Sequence, residues 1–208
     1  MPIIFVCIFP HPPIILPSIG SKEDRAKVKN TIESLEFLGK KFKELKPDMI
    51  IISSPHTDWG FNVPLFFLAS DFKGEIEEIL ISVESPQFYF EQGKKHYQKI
   101  YRGTTSAKIA VIASGDLSHC LKEDGPYGFH PDGHKFDKAL IDSLKKKDIK
   151  TILKLDEMFP EAGECGLRSF CFVLGILEAS GIDYQPEILS YEGPFGVGYM
   201  VTDFHLSH

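Results

Sequence analysis

The 208-residue sequence predicts an α/β fold: a three-layer α/β/α sandwich around a mixed, mostly parallel sheet with a C-terminal hairpin. Three observations lead there. Short, β-branched apolar runs alternate along the chain with amphipathic stretches of helical period, the pattern of parallel strands joined by crossover helices. The apolar runs are continuous rather than alternating, as strands covered on both faces require. The last two apolar segments are separated only by a Gly193-Pro194 turn, which is too short for a crossover and implies antiparallel pairing.

Residues 3–9 (IIFVCIF) form the first predicted strand, stopped by Pro10. Ser21 is the expected N-cap of one long helix in which Val28, Ile32, Leu35, Leu38, Phe42 and Leu45 recur at three- and four-residue steps, and Pro47 marks its end. Residues 49–53 (MIIIS) form the second strand, cut by Pro55, and 63–68 a short apolar helix. A third strand is expected over 79–83, a helix over 88–101 and a fourth strand over 108–113. Residues 115–133, rich in Gly, Pro and Asp, read as a long loop. Helices follow over 136–144, 149–155 and 166–179, and the hairpin over 186–191 and 196–204. With no repeat or linker to divide it, the whole of 1–208 is expected to be one domain.

Hydrophobic residues make up 43% and charged residues 25%, an ordinary globular mixture. A net charge of −6 leaves no electrostatic footprint for nucleic acid or an anionic membrane, and no apolar run approaches the roughly 20 residues of a membrane span. Residues 1–20 lack a basic leader, and four cysteines without CxxC spacing suggest no disulfide framework, so a reducing, cytoplasmic setting is expected.

The candidate site rests on three histidines. His11 follows the first strand, His56 the second and His119 the fourth. In a parallel sheet those C-terminal strand ends share one edge, where open α/β folds place their sites. Each histidine sits in a constrained context: PHPP, SSPHTD and SGDLSH. Any one of them alone would more often be an ordinary loop residue; three at corresponding positions argue for joint function. His11 and His56 are the expected metal donors, and neutral imidazole suits iron, zinc or copper. The Gly-flanked stretch 161–166 (EAGECG) offers a third donor: Glu164 would complete a two-histidine, one-carboxylate set suited to Fe(II), and Cys165 a softer set suited to Zn or Cu. Asp116, three residues before His119, either orients it or caps the loop.

At these residues the chain resembles a known family. PHPPIILP, SSPH, ASGDLSH, EDGPYGF, ECGLRSF and SYEGPFGVGY are similar to the LigB superfamily of class III extradiol ring-cleavage dioxygenases, nearest the dioxygenase-like, Memo-like domains of the AmmeMemoRadiSam group. The resemblance implies a non-haem Fe(II) site of two histidines, at His11 and His56, with Glu164 or Cys165 as third ligand. It implies a small catechol-type aromatic and dioxygen as substrates, and His119 as the catalytic acid/base. A homodimer and AmmeMemoRadiSam partner proteins are also expected by resemblance alone.

Two departures stand out. Relatives carry Asp-His-Gly before Val-Pro-Leu, where this chain has Asp58-Trp59-Gly60, with Trp59 in the histidine's place. That stretch also follows His56 almost at once, so the chain looks internally shortened there. Trp59, Arg168 and His130 are the candidate substrate contacts; Trp59 could instead plug the shortened wall, an ion pair would equally explain Arg168, and loop exposure is the more usual account of a histidine such as His130. His134 falls with His130 in the loop, while His96, His205 and His208 read as surface residues.

Overall fold

The computed structural model describes residues 3–102 and 106–207; His208 lies outside them. Six strands form one mixed sheet in the order β3-β2-β4-β1-β6-β5. The strands are β1 (Ile3–Phe9), β2 (Met49–Ser54), β3 (Glu75–Leu80), β4 (Ile109–Ser114), β5 (Asp183–Glu192) and β6 (Tyr199–Ser207). β1 pairs in parallel with β4, which pairs in parallel with β2, and β2 pairs in parallel with β3. β6 joins β1 antiparallel, and β5 joins β6 antiparallel, as the predicted hairpin requires. Every residue of β4 is buried, the mark of a central strand covered on both faces.

Helices cover the sheet in two layers. α2 (Lys29–Leu45) and α3 (Trp59–Leu68) bury Leu35, Leu38, Phe42, Phe61 and Leu68 against Phe5, Cys7, Phe9, Ile50, Ile52 and Ile112. On the opposite face α4 (Pro86–Arg102), α5 (Pro131–Lys146) and α8 (Leu167–Ser180) pack around Val6, Ile8, Ile51 and Val111, with the short α6 (Ile149–Ile152) and α7 (Leu155–Met158) beside them. α4 and α8 approach closely because each turns a glycine to the other. A Cβ on Gly93 would stand 2.0 Å from the Phe172 carbonyl oxygen, and one on Gly175 would stand 2.0 Å from that of Phe90. Among the described residues no helix is long and apolar enough to cross a membrane.

Two expectations are corrected in detail. The long first helix is broken at Val28 (φ −118°, ψ 33°) into α1 (Lys22–Lys27) and α2. Ser21 caps only the short first piece, accepting from the Asp24 backbone N–H. The third strand runs over Glu75–Leu80 rather than 79–83. Its three glutamates disguise it in the sequence, but it is an edge strand bonded on one side only, and an edge tolerates charge that a central strand would not.

Candidate metal centre

The C-terminal ends of β1, β2 and β4 bring the predicted histidines together. His11, two residues past β1, is buried at 2% exposure. His56, two residues past β2, lies with its ring centroid 5.2 Å from that of His11, the planes at 64°. The connection after β4 adds Asp116 and His119, and the turn entering α8 adds Cys165. That turn and the β4 loop meet because two glycines press together: a Cβ on Gly115 would stand 2.3 Å from the Gly166 Cα, and the Gly166 N–H donates to the Asp116 carbonyl at 2.9 Å.

Of the two candidates for the third donor, Cys165 is the one that joins the histidines. Its Sγ lies 3.5 Å from His11 Nε2 and accepts from the Asp116 N–H at 3.3 Å. Donor atoms of His11, His56 and Cys165 all fall within 4.8 Å of one another, and those of Asp116, His119 and Cys165 form a second such group. Glu164 is turned away. Its carboxylate accepts from the Leu167 N–H at 2.7 Å, capping α8, and from Arg168 Nη1 at 2.9 Å. The donor atoms that converge are therefore two nitrogens and a sulfur, while the N-terminus of α8 and a guanidinium both claim the Glu164 carboxylate.

Arg168 is occupied in the same way, with Asp156 3.3 Å from its Nη2 and the Glu84 carbonyl 2.6 Å from its Nε. Three groups, Glu164, Asp156 and the Glu84 carbonyl, thus already engage its guanidinium, as the ion-pair alternative expects. His130 caps α5, its Nδ1 accepting from the Asp132 N–H at 3.2 Å, which is the role the geometry gives it. Asp116 does not orient His119: its Oδ1 accepts from the His11 backbone N–H at 2.9 Å, and its Oδ2 lies 4.0 Å from His11 Nε2. The Gly163 carbonyl holds His119 instead, 2.7 Å from Nδ1.

Two exposed aromatic rings flank the centre. Trp59 lies 5.2 Å from His56 with the rings tilted by 33°, and remains 44% exposed, so it packs on a candidate ligand while keeping part of its surface open. Tyr127 stacks on His119 at 5.3 Å and 26° and is 68% exposed. Sequence reasoning passed over Tyr127, although it lies in the DGPYGF run. The Gly125–Gly128 turn that presents it, with Gly128 at φ 75°, was the available signal.

Burial sets the electrostatics. It lowers His11 to about 3, with His56 and His119 adding their own repulsion, and it lowers His56 and His119 as well. All three imidazoles are thereby kept neutral near pH 7, the form in which nitrogen binds a cation or accepts a proton. Burial also raises Asp116 to about 7 and pushes the Cys165 thiol well above its usual value. A buried acid and a buried thiol of this kind lose their protons most readily to an incoming cation. The donor set thus fits a metal ion.

Comparison with known proteins agrees with the fold and extends it. Protein CA_C1420 of Clostridium acetobutylicum is 30% identical over 263 residues, covering 93% of this chain and 56% of the relative. The chain thus spans about half the length of that curated relative. The alignment is longer than the chain itself, so the relative carries segments with no counterpart here. The crystal structure of uncharacterized protein JW3007 from Escherichia coli K12 superposes with a TM-score of 0.57 at 13% identity, covering 97% of this chain and 99% of that one, a likeness of fold alone. The model of the catalytic LigB subunit of aromatic ring-opening dioxygenase matches residues 56–202, a stretch that holds His56, Asp116, His119 and Cys165, with His11 just ahead of it. With its histidines gathered at one sheet edge and that match over most of its length, the chain belongs to the LigB family.

Proposed function

We propose that this protein is a metal-dependent, dioxygenase-like oxidoreductase that acts on a small catechol-type aromatic with dioxygen. The convergence of His11, His56 and Cys165 within 4.8 Å of one another carries the reading. These three residues would hold the ion, most simply Fe(II), with Asp116 beside them. When bound, a redox-active metal of this type supplies Lewis-acid polarisation of a coordinated phenol and a route for electrons to dioxygen.

The chain's own groups do the rest. The Gly163 carbonyl can only accept, so a neutral His119 carries its proton on Nδ1 and has the lone pair on Nε2. With its basicity lowered by burial, His119 is neutral at physiological pH and ready to take a phenolic proton at Nε2 and later return it. Tyr127 covers one face of that imidazole, limiting its rotation and shielding it from water. The exposed faces of Tyr127 and Trp59 suit a planar ring, which stacks on aromatic surface at little ordering cost. We place the shortening of the chain between His56 and Trp59, where the exposed Trp59 would meet a ligand arriving from solvent.

The test is anaerobic loading with Fe(II), then exposure to a panel of catechols in air. Oxygen uptake with a new absorbance from the ring-opened product is expected, lost in His119→Ala. A fully loaded protein that consumes no oxygen with any catechol overturns the assignment.

One observation favours a second reading. A sulfur donor in the third position is softer than a carboxylate and suits Cu or Zn. With Trp59 where relatives carry a histidine, the chain would then be a Memo-like metal-binding or redox protein without ring cleavage, acting alone, as a homodimer or with AmmeMemoRadiSam partners. Competitive loading separates the two: Cu(I) retained against excess Fe(II), without oxygen uptake, selects the second.

A further inference from the structure

We propose that Ser114 is a positioning residue that locks His11 in its Nδ1–H tautomer, and that Pro64 sets the direction of this lock. The inference rests on the reading of His11 as a metal donor, but its first test does not.

The logic begins inside α3. Pro64 has no N–H, so the carbonyl four residues earlier, that of Gly60, loses its normal helical donor. A buried carbonyl left unpaired is costly, and the Ser114 hydroxyl takes the place, donating to the Gly60 oxygen at 2.5 Å. A hydroxyl has one proton. With that proton committed to Gly60, Ser114 Oγ can only accept from its second neighbour, His11 Nδ1, at 2.9 Å. His11 Nδ1 must therefore carry the proton, which leaves the lone pair on Nε2.

That nitrogen is the one 3.5 Å from Cys165 Sγ. The thiol's one proton has two acceptors, this nitrogen and the Asp116 carbonyl at 3.7 Å, so the thiol is compatible with that tautomer while Ser114 fixes it. Ser114 is fully buried, so water offers no alternative partner.

The same turn supports the other histidine. A Cβ on Gly60 would stand 3.1 Å from His56 Cβ and 2.1 Å from Ser54 Oγ, the atom that accepts from the His56 N–H at 3.2 Å. Ser54 and Ser114 end β2 and β4, and Gly60 lies against both. The first turn of α3 thus aligns two donors from two strands. A ligand ring held this way is spared the reorientation it would otherwise undergo on binding, and such outer contacts typically change metal affinity by about 10–100-fold.

The experiment is long-range nitrogen–proton correlation NMR of the metal-free protein, which distinguishes the imidazole tautomers, followed by Co(II) and Zn(II) titration. Wild-type His11 is expected almost wholly in the Nδ1–H form. Ser114→Ala should give a tautomer mixture with roughly 10–100-fold weaker metal binding, and Ser114→Thr, which keeps the hydroxyl, should restore the single tautomer. Wild-type His11 in the Nε2–H form overturns the proposal without any variant having to fold. So does a folded Ser114→Ala protein with unchanged tautomer and unchanged affinity. If the tautomers behave as stated while no metal binds, the lock stands and only the metal-site reading falls.

Discussion

Substituting the two adjacent candidates for the third donor separates a ligand from a cap. In Glu164→Gln the amide oxygen can still accept from the Leu167 N–H, but the charge that faces Arg168 Nη1 at 2.9 Å is gone. Arg168 keeps Asp156 and the Glu84 carbonyl, so its own charge is not stranded. The loss is one charge-assisted bond plus part of the dipole interaction at the N-terminus of α8. That amounts to roughly 1–3 kcal/mol, or a fall of several degrees in Tm for a chain of this length. Metal affinity of the folded protein should not change, because the carboxylate does not reach the cluster. Cys165→Ala reverses the pattern. It removes a small, mostly buried side chain at little cost in stability but deletes a donor, and metal binding should weaken by at least about 100-fold, close to 3 kcal/mol. Thermal melts of the metal-free proteins and competitive Zn(II) or Co(II) titrations measure both quantities; a thiolate ligand also gives Co(II) an intense charge-transfer band that only Cys165→Ala should abolish. If Glu164→Gln loses the metal and Cys165→Ala keeps it, the assignment of the third donor is refuted.

Other perturbations follow from the same geometry. Tyr127→Ala uncovers the His119 ring, so the imidazole, lowered by burial, should move up toward the ordinary value of about 6.5 in an NMR titration; no movement would mean that Tyr127 does not shield it. Gly93→Ala gains about 1 kcal/mol of helix propensity but forces its Cβ to within 2.0 Å of the Phe172 oxygen, so a net loss of roughly 1–3 kcal/mol is expected by urea denaturation. Because either substitution alone parts α4 from α8, adding Gly175→Ala should cost less than the sum of the two. Asp137 accepts from the Ser118 N–H and the Tyr191 hydroxyl, and burial raises it to about 7. The folded state therefore holds this proton more tightly than the unfolded chain does. The stabilisation is full below about pH 4 and fades as pH rises to about 7, so wild type should lose up to roughly 2–3 kcal/mol between pH 5 and pH 8. Asp137→Asn should flatten that part of the profile, and an equally steep variant would show that Asp137 is not its source.

Much of the molecule could be read from the chain. Buried strands announce themselves through continuous β-branched runs, so β1, β2 and β4 were legible, as was the rule that places residues following parallel strands at one edge. His11, His56 and His119 converge for that reason, and the motifs around them carried the family. The acidic β3 was misplaced because an edge strand is stabilised by its single neighbour rather than by its own composition. The break at Val28 was hidden because apolar spacing continues across it.

What the sequence could not decide was how neighbouring side chains divide among competing partners. Glu164 and Cys165 are adjacent and equally suited to a metal by composition, but only the folded chain sets Arg168 and the start of α8 beside the carboxylate and His11 beside the thiol. Asp116 was likewise linked to His119 by spacing, yet its carboxylate bonds to the His11 backbone and a carbonyl from Gly163 holds His119. Whether a segment is strand or helix follows from periodicity, which is local. The direction of a side chain and the placement of a proton depend on which donors and acceptors arrive from distant segments, and those arrive only with the tertiary structure.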